Sequence, residues 1–252
     1  MAAPSEFETL PQCGEDQIGF AVDAPLDRTL VRSVPYVVHM TQLSQSVQLE
    51  FDGDIAIIRV DNPPVNALSH HVRQGLLDGM KQAEESDAAA IVLICDGRTF
   101  IAGADITEFS GPPQPPSLQE AQDAMENCSK HVVAAVHGTA LGGGLEVALC
   151  AHYRVGVASS QYGLPEVKLG LLPGAGGTQR LPRITGASKA LEMMTSGDPI
   201  SADEALACGL IDEIVEDLAT NDQFIKGNLP NFVYPASELR TLPPIMYPCL
   251  LY

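Results

Sequence analysis

Two acids in this chain stand in apolar surroundings, and residues so placed are the first to examine for chemistry. Glu146 lies within Leu145-Glu146-Val147-Ala148-Leu149-Cys150-Ala151, and Glu166 follows Pro165 just ahead of another largely apolar run. An ionised carboxylate is costly to desolvate, so an acid inside an apolar segment needs a partner or a task. Each also has a plain structural reading: Glu146 as a charge near a helix N-terminus, Glu166 as a surface carboxylate. The triplet Gly142-Gly143-Gly144 immediately precedes the first acid. Glycines there either allow close strand-to-helix packing or let a ligand approach free backbone N–H groups at a helix start. If the two carboxyls share one apolar pocket, they cannot both ionise cheaply, and their titration would couple with one proton retained near neutral pH. Such a pair suits proton transfer.

Other chemistries are excluded or weakened by what the sequence contains. Neither G-x-x-x-x-G-K-[ST] nor a proper G-x-G-x-x-G is present, which argues against a nucleotide-phosphate loop. The histidines at 39, 70, 71, 131, 137 and 152 form no metal-ligand spacing, so no metal is expected, and His137 reads as a satisfied structural side chain. Lys168 and Arg180 are candidate local cations for an anionic ligand, with an ion-paired surface role as the better reading, and Asp105 is as good a helix cap as a ligand contact. The net charge of −18 opposes binding to nucleic acid and to anionic membranes. It also repels a polyanionic ligand at long range, so a site for one must rely on local donors. Six cysteines without C-x-x-C spacing indicate a reduced compartment. No basic-then-apolar leader and no apolar run of about 18 residues occurs, which makes a membrane span unexpected and a cytoplasmic address the default.

The elements that must position these residues follow from periodicity. Residues 1–45 show no sustained period and read as an irregular extension. Val47–Phe51 alternates like a half-buried strand, Asp52-Gly53-Asp54 turns the chain, and Ile55–Val60 returns as its hairpin partner. Ser69 is placed to cap a helix with Val72, Leu76, Leu77, Met80 and Ala83 on its apolar face. Ile91–Cys95 and Val132–Val136 read as buried strands, and the proline block from Gly111 to Pro116 as a surface loop. Leu145–Ala151 reads as a helix, Tyr153–Val157 as a strand, and Ala187–Ser196 as a helix. Ser201-Ala202-Asp203-Glu204 reads as a capping box for a short helix ending at Gly209. Strand and helix alternate, so the class is α/β.

Three segments, in order, resemble the enoyl-CoA hydratase/isomerase (crotonase) family: Thr99-Phe100-Ile101-Ala102-Gly103-Ala104-Asp105-Ile106, His137-Gly138-Thr139-Ala140-Leu141-Gly142-Gly143-Gly144-Leu145-Glu146, and Leu164 through Pro182. The stretch Asn62-Pro63-Pro64-Val65-Asn66-Ala67-Leu68 looks most like the hydratase part of multifunctional fatty-acid oxidation proteins. Those join hydratase and isomerase activity to a dehydrogenase, which is expected to be absent here. The resemblance implies a crotonase-like spiral of ββα repeats over residues 46–218. It implies an oxyanion hole built from the N–H groups of Ala104 and Gly143, with Glu146 and Glu166 as paired catalytic acids. It places Asn66, Ala67, Leu68, Ala102, Gly103, Asp105, Gly142, Pro173 and Gly174 beside an acyl-CoA, although a turn-and-cap role explains Asn66 equally well.

The implied reaction is hydration of trans-2-enoyl-CoA to 3-hydroxyacyl-CoA in fatty-acid β-oxidation, with isomerisation of 3-enoyl-CoA as an addition. No cofactor is implied beyond the coenzyme A carried by the substrate. Another crotonase-type reaction (hydrolysis, decarboxylation, dehalogenation) and acyl-CoA binding without turnover are the alternatives. The family forms trimers or hexamers through C-terminal helices, whereas the Pro-rich tail at 219–252 departs from that pattern.

Overall fold

The computed structural model describes residues 40–215. Most of the expected N-terminal extension, and all of the tail at 219–252, lie outside them. The first described residues belong to the sheet: β1 (Met40–Gln42) pairs antiparallel with β2 (Val47–Asp52), and β2 with β3 (Ile55–Val60). Strand β1 thus corrects the expectation that the extension reaches residue 45.

Next come α1 (His70–Glu85), β4 (Ala90–Cys95), a 3-10 turn at Ile106–Ser110, α2 (Leu118–Glu126) and β5 (His131–Val136). Then follow β6 (Thr139–Leu141), α3 (Gly143–Ala148), β7 (Tyr153–Val157), β8 (Gln161–Gly163) and a second 3-10 turn at Pro165–Leu169. The described chain closes with α4 (Gly177–Thr185), α5 (Ala187–Ser196), β9 (Ile200–Ser201), α6 (Ala202–Ala207) and β10 (Glu213–Val215).

Two sheets result. The larger runs β1-β2-β3-β4-β5-β7-β10 and is parallel from β3 onward, while the smaller runs β6-β8-β9. In β5-β6-α3 and again in β7-β8-α4, the first strand joins the large sheet, the second joins the small one, and a helix follows. This is the α/β spiral of ββα repeats. Strands β4 and β5 are buried on both faces, as near-continuous apolar runs in parallel sheets should be.

The local readings hold with instructive exceptions. Helix α1 buries Val72, Leu76, Met80 and Ala83, with Leu77 packed half-buried at the edge of the same core. Ser69 occupies its N-cap but makes no capping bond. The carboxylate of Glu108 takes that place, accepting from the backbone N–H of His70 at 2.6 Å. Only half of the Ser201 box forms, because Ser201 Oγ accepts from Glu204 N while the Glu204 carboxylate pairs with Lys189. Helix α3 starts two residues earlier than Leu145. Helix α2 was not anticipated, although Ser117-Leu118-Gln119-Glu120 forms a complete capping box at its start.

Candidate active site

Strand β6 ends at Leu141, whose N–H donates to Ile101 O at 3.1 Å, and the chain reverses into α3 through Gly142. Gly142 has φ 53° and ψ −126°, a backbone state that side chains disfavour. A Cβ there would also stand 3.2 Å from Glu166 Oε1, so the missing side chain leaves room for that carboxyl. Gly144 packs against the neighbouring loop, since its Cβ would sit 2.0 Å from Ile101 O. The two readings of the triplet therefore both apply, at different residues: Gly144 permits close packing, while Gly143, whose Cβ would stand 3.0 Å from Leu68 Cδ1, lines the cavity described below. As the first residue of α3, Gly143 has an N–H with no acceptor inside the helix. Ala104 N lies 3.7 Å from the Cβ position of Gly143. The loop carrying Ala104 is held by a bridge to Leu68, whose N–H donates to Gly103 O at 2.9 Å.

These groups open on one cavity of about 1030 Å³, whose walls include Leu68, Ala102, Gly103, Ala104, Gly142 and Gly143 together with both acids. Glu146 is 2% exposed. Its Oε1 accepts from the N–H groups of Ala175 and Gly177, each at 2.8 Å. Burial raises the pKa of Glu146, and those two bonds and the charge of Arg180 pull it partly back. Glu166 is half-buried, and its Oε2 is enclosed without a hydrogen-bond partner. Burial raises its pKa as well, its own backbone N–H lowers it, and the negative charge of Glu146 raises it again. The two carboxyls thus differ in kind. Donors favour the ionised form of Glu146, while nothing but its own N–H does so for Glu166.

Most sequence-selected residues meet here, but not all. Asn66 is removed from the cavity wall: φ is 52°, its Oδ1 accepts from Asn62 N, and its Nδ2 donates to Asp96 O and Thr99 O, all at 2.8 Å. Its polar atoms are committed to holding the turn. Ala67 is likewise absent from the wall, and Pro173 is buried behind it against Gly177, whereas Gly174 lines it. Asp105 lines the cavity yet also caps the first 3-10 turn, accepting from Thr107 N at 3.0 Å. Lys168 forms a surface pair with Asp198 at 2.6 Å. Arg180 corrects its surface assignment, for it is fully buried and clamps Glu126 at 2.6 and 2.9 Å. His137 bonds Gly97 O through Nε2, in keeping with a structural role.

Sequence reasoning missed much of the outer wall. Ile106, Leu118, Leu169, Leu171 and Leu172 line it, as does the proline loop at 111–115. A surface loop and scattered apolar residues carry no local signal of facing a cavity. Helix α2, which brings in Leu118, had such a signal in the Ser117–Glu120 box. Among the described residues no helix is long and apolar enough to cross a membrane.

The chain is similar to several known proteins. The peroxisomal bifunctional enzyme of Danio rerio is 50% identical over 164 residues, covering 64% of this chain and 23% of that protein. A probable enoyl-CoA hydratase of Bacillus subtilis (strain 168) is 42% identical over 174 residues, covering 66% of this chain and 67% of the other. Among solved structures, the enoyl-CoA hydratase from Thermoplasma volcanium GSS1 superposes with a TM-score of 0.65 at 33% identity, covering 73% of this chain and 77% of that one. The chain therefore spans about a quarter of the bifunctional relative and two thirds of the bacterial one. Residues 50–227 match the enoyl-CoA hydratase/isomerase family, and the chain belongs to it.

Proposed function

We propose that this chain hydrates trans-2-enoyl-CoA to 3-hydroxyacyl-CoA, a step of fatty-acid β-oxidation. The observation that carries the reading is one cavity holding two adjacent backbone amides, Ala104 and Gly143, and two carboxyls with opposite surroundings. The thioester oxygen takes the two N–H groups. Glu146, whose carboxylate accepts the N–H groups of Ala175 and Gly177, orients a water and takes its proton as the oxygen attacks Cβ. Electrons of the C=C bond move toward the thioester, and charge collects on the oxygen that the amides grip. Glu166, acting in its protonated form, delivers a proton to Cα and restores the thioester carbonyl. Isomerisation of 3-enoyl-CoA fits the same site, with the single acid Glu166 moving a proton between C2 and C4. The enclosed, unpartnered Oε2 of Glu166 supports that addition.

The test follows the conjugated thioester absorbance of crotonyl-CoA with the full chain. Glu146→Gln and Glu166→Gln should each lower kcat by about 10²–10⁴-fold, the usual worth of a positioned acid or base. Turnover that survives both changes overturns the assignment, and binding of acyl-CoA without turnover supports a non-enzymatic module instead. A homo-trimer or hexamer is proposed for the assembly, to be checked by light scattering. The cytoplasmic address expected from the sequence draws no support from relatives, several of which are named as peroxisomal.

A further inference from the structure

Glu146 is gripped by the N–H of Ala175, and the carbonyl of the same residue, in the next peptide unit, is itself gripped from behind. Gln122, on α2, is fully buried, and its Nε2 donates to two carbonyls: Ala175 O at 2.9 Å and Glu146 O at 3.1 Å. Arg180 Nη1 donates to the same Ala175 O at 2.8 Å, while the rest of the guanidinium is clamped by Glu126, one turn further along α2. The Ala175 N–H then donates to Glu146 Oε1. One side chain of α2 therefore touches both the backbone of the acid and the residue whose N–H holds its carboxylate.

The orientation of the Gln122 amide is forced, because only its nitrogen can donate to two carbonyls. Its oxygen is consequently left buried without a hydrogen-bond partner. A side chain serving only to pack would incur no such orphan, and Met would fill the same length. The amide is explained by what its nitrogen does.

We propose that Gln122, backed by the Glu126–Arg180 ion pair, is a positioning residue that fixes Ala175 through its carbonyl and, through the N–H of the same residue, aligns the carboxylate of Glu146. This rests on the hydratase reading and deepens it. The charged and titratable groups around Glu146 come from several elements: Arg180 on α4, Glu126 and Asp123 on α2, Glu166 on the second 3-10 turn, and Cys150 just past α3, whose Sγ donates to Glu146 O at 3.2 Å. Burial keeps that thiol protonated. Glu108 and Glu120 stand farther out on the cavity wall.

Gln122→Met in the full chain is the test, because it removes both donors and the orphan acceptor together. A loosened Ala175 bonds the Glu146 carboxylate less well, so the ionised form is less favoured. The acid limb of kcat/KM should move up by about one pH unit, the scale of a hydrogen bond to a carboxylate. Meanwhile kcat should fall about ten- to a hundredfold with KM nearly unchanged, as for a misaligned catalytic group. Glu126→Gln should act with the opposite sign: it removes a negative charge beside Arg180, strengthens the positive field at Glu146, and moves the limb down.

A turnover-independent readout separates failures. In 13C-glutamate-labelled protein, the carboxyl resonance assigned by its loss in Glu146→Gln should titrate higher in Gln122→Met and lower in Glu126→Gln. A parent chain with no turnover overturns the hydratase reading. A Glu146 titration and kcat unmoved in Gln122→Met overturn the positioning role. Should Gln122→Met not fold, a Gln122→Leu chain, which also removes both donors, overturns it equally if its Glu146 titration and kcat match the parent.

Discussion

Glu146 and Glu166 share a cavity, and the protein gives them different surroundings. Two backbone N–H groups and a buried arginine surround the first, whereas the second presents an oxygen with no partner. Both pKa values are raised by burial, so the folded state prefers their protonated forms more than the unfolded chain does. The linkage then has a definite sign: the stability these two groups contribute is present below the ordinary carboxylate range and is lost as pH rises through their raised values. Glu166→Gln removes an unpartnered acid that must ionise at high pH. It should raise Tm at pH 8 by about 2–4 °C, the shift equivalent to 1 kcal/mol in a domain of this size, and leave Tm at pH 4 nearly unchanged. Calorimetry at the two pH values measures this, and an equal rise at both would contradict it.

At the scale of elements, the site is a meeting of loops that short helices and strands hold in register. Helix α3 can bring Gly143 beside Ala104 because Gly144 lies flat against Ile101, with no room for a Cβ. Gly144→Ala would force that contact open, at about 1–3 kcal/mol for overpacking against a backbone atom. Urea unfolding should report this loss, and kcat should fall with it because α3 carries both Gly143 and Glu146. Preserved kcat with lowered stability would separate the packing from the oxyanion geometry. Arg73 of α1 secures the other side. It donates to Pro116 O at 3.0 Å, Leu68 O at 2.9 Å and Gln114 O at 3.2 Å, and pairs with Glu108 at 2.7 Å. A single guanidinium thereby ties the proline loop, the Leu68 bridge and the first 3-10 turn into one rim.

At the scale of the whole molecule, electrostatics opposes the ligand while the cavity favours it. A chain of net charge −18 repels coenzyme A at long range, and acceptance depends on short-range amides. Salt should therefore speed encounter. As the screening length drops from about 30 Å to about 8 Å between 0.01 and 0.15 M ionic strength, kcat/KM for crotonyl-CoA should rise. A fall over that range would point to a basic docking surface instead. Far from the cavity, Arg154 ties β7 to the approach of β10, donating to Leu210 O through Nε and to Asp212 through its backbone N–H, both at 2.8 Å. The last described strand is thereby locked onto the parallel sheet.

Local order was legible because neighbouring residues encode it. Val47–Phe51 alternates in sequence and pairs with Ile55–Val60 across the turn, α5 runs from Ala187 to Ser196 as its pattern predicts, and β4 and β5 are unbroken apolar runs. The two acids and the glycine triplet were visible as residues out of keeping with their surroundings. Strands β6, β8 and β9 were not, since two or three residues cannot display a period and owe their pairing to partners elsewhere in the chain. The burial of Arg180, the withdrawal of Asn66 into its turn and the reach of Gln122 behind Ala175 likewise had no local sign. The sequence by itself determined which groups were available and the elements that carry them. Tertiary packing alone decided which of them face one cavity and what surrounds each carboxyl, because burial and hydrogen-bond partners arise between segments that no pattern along the chain relates.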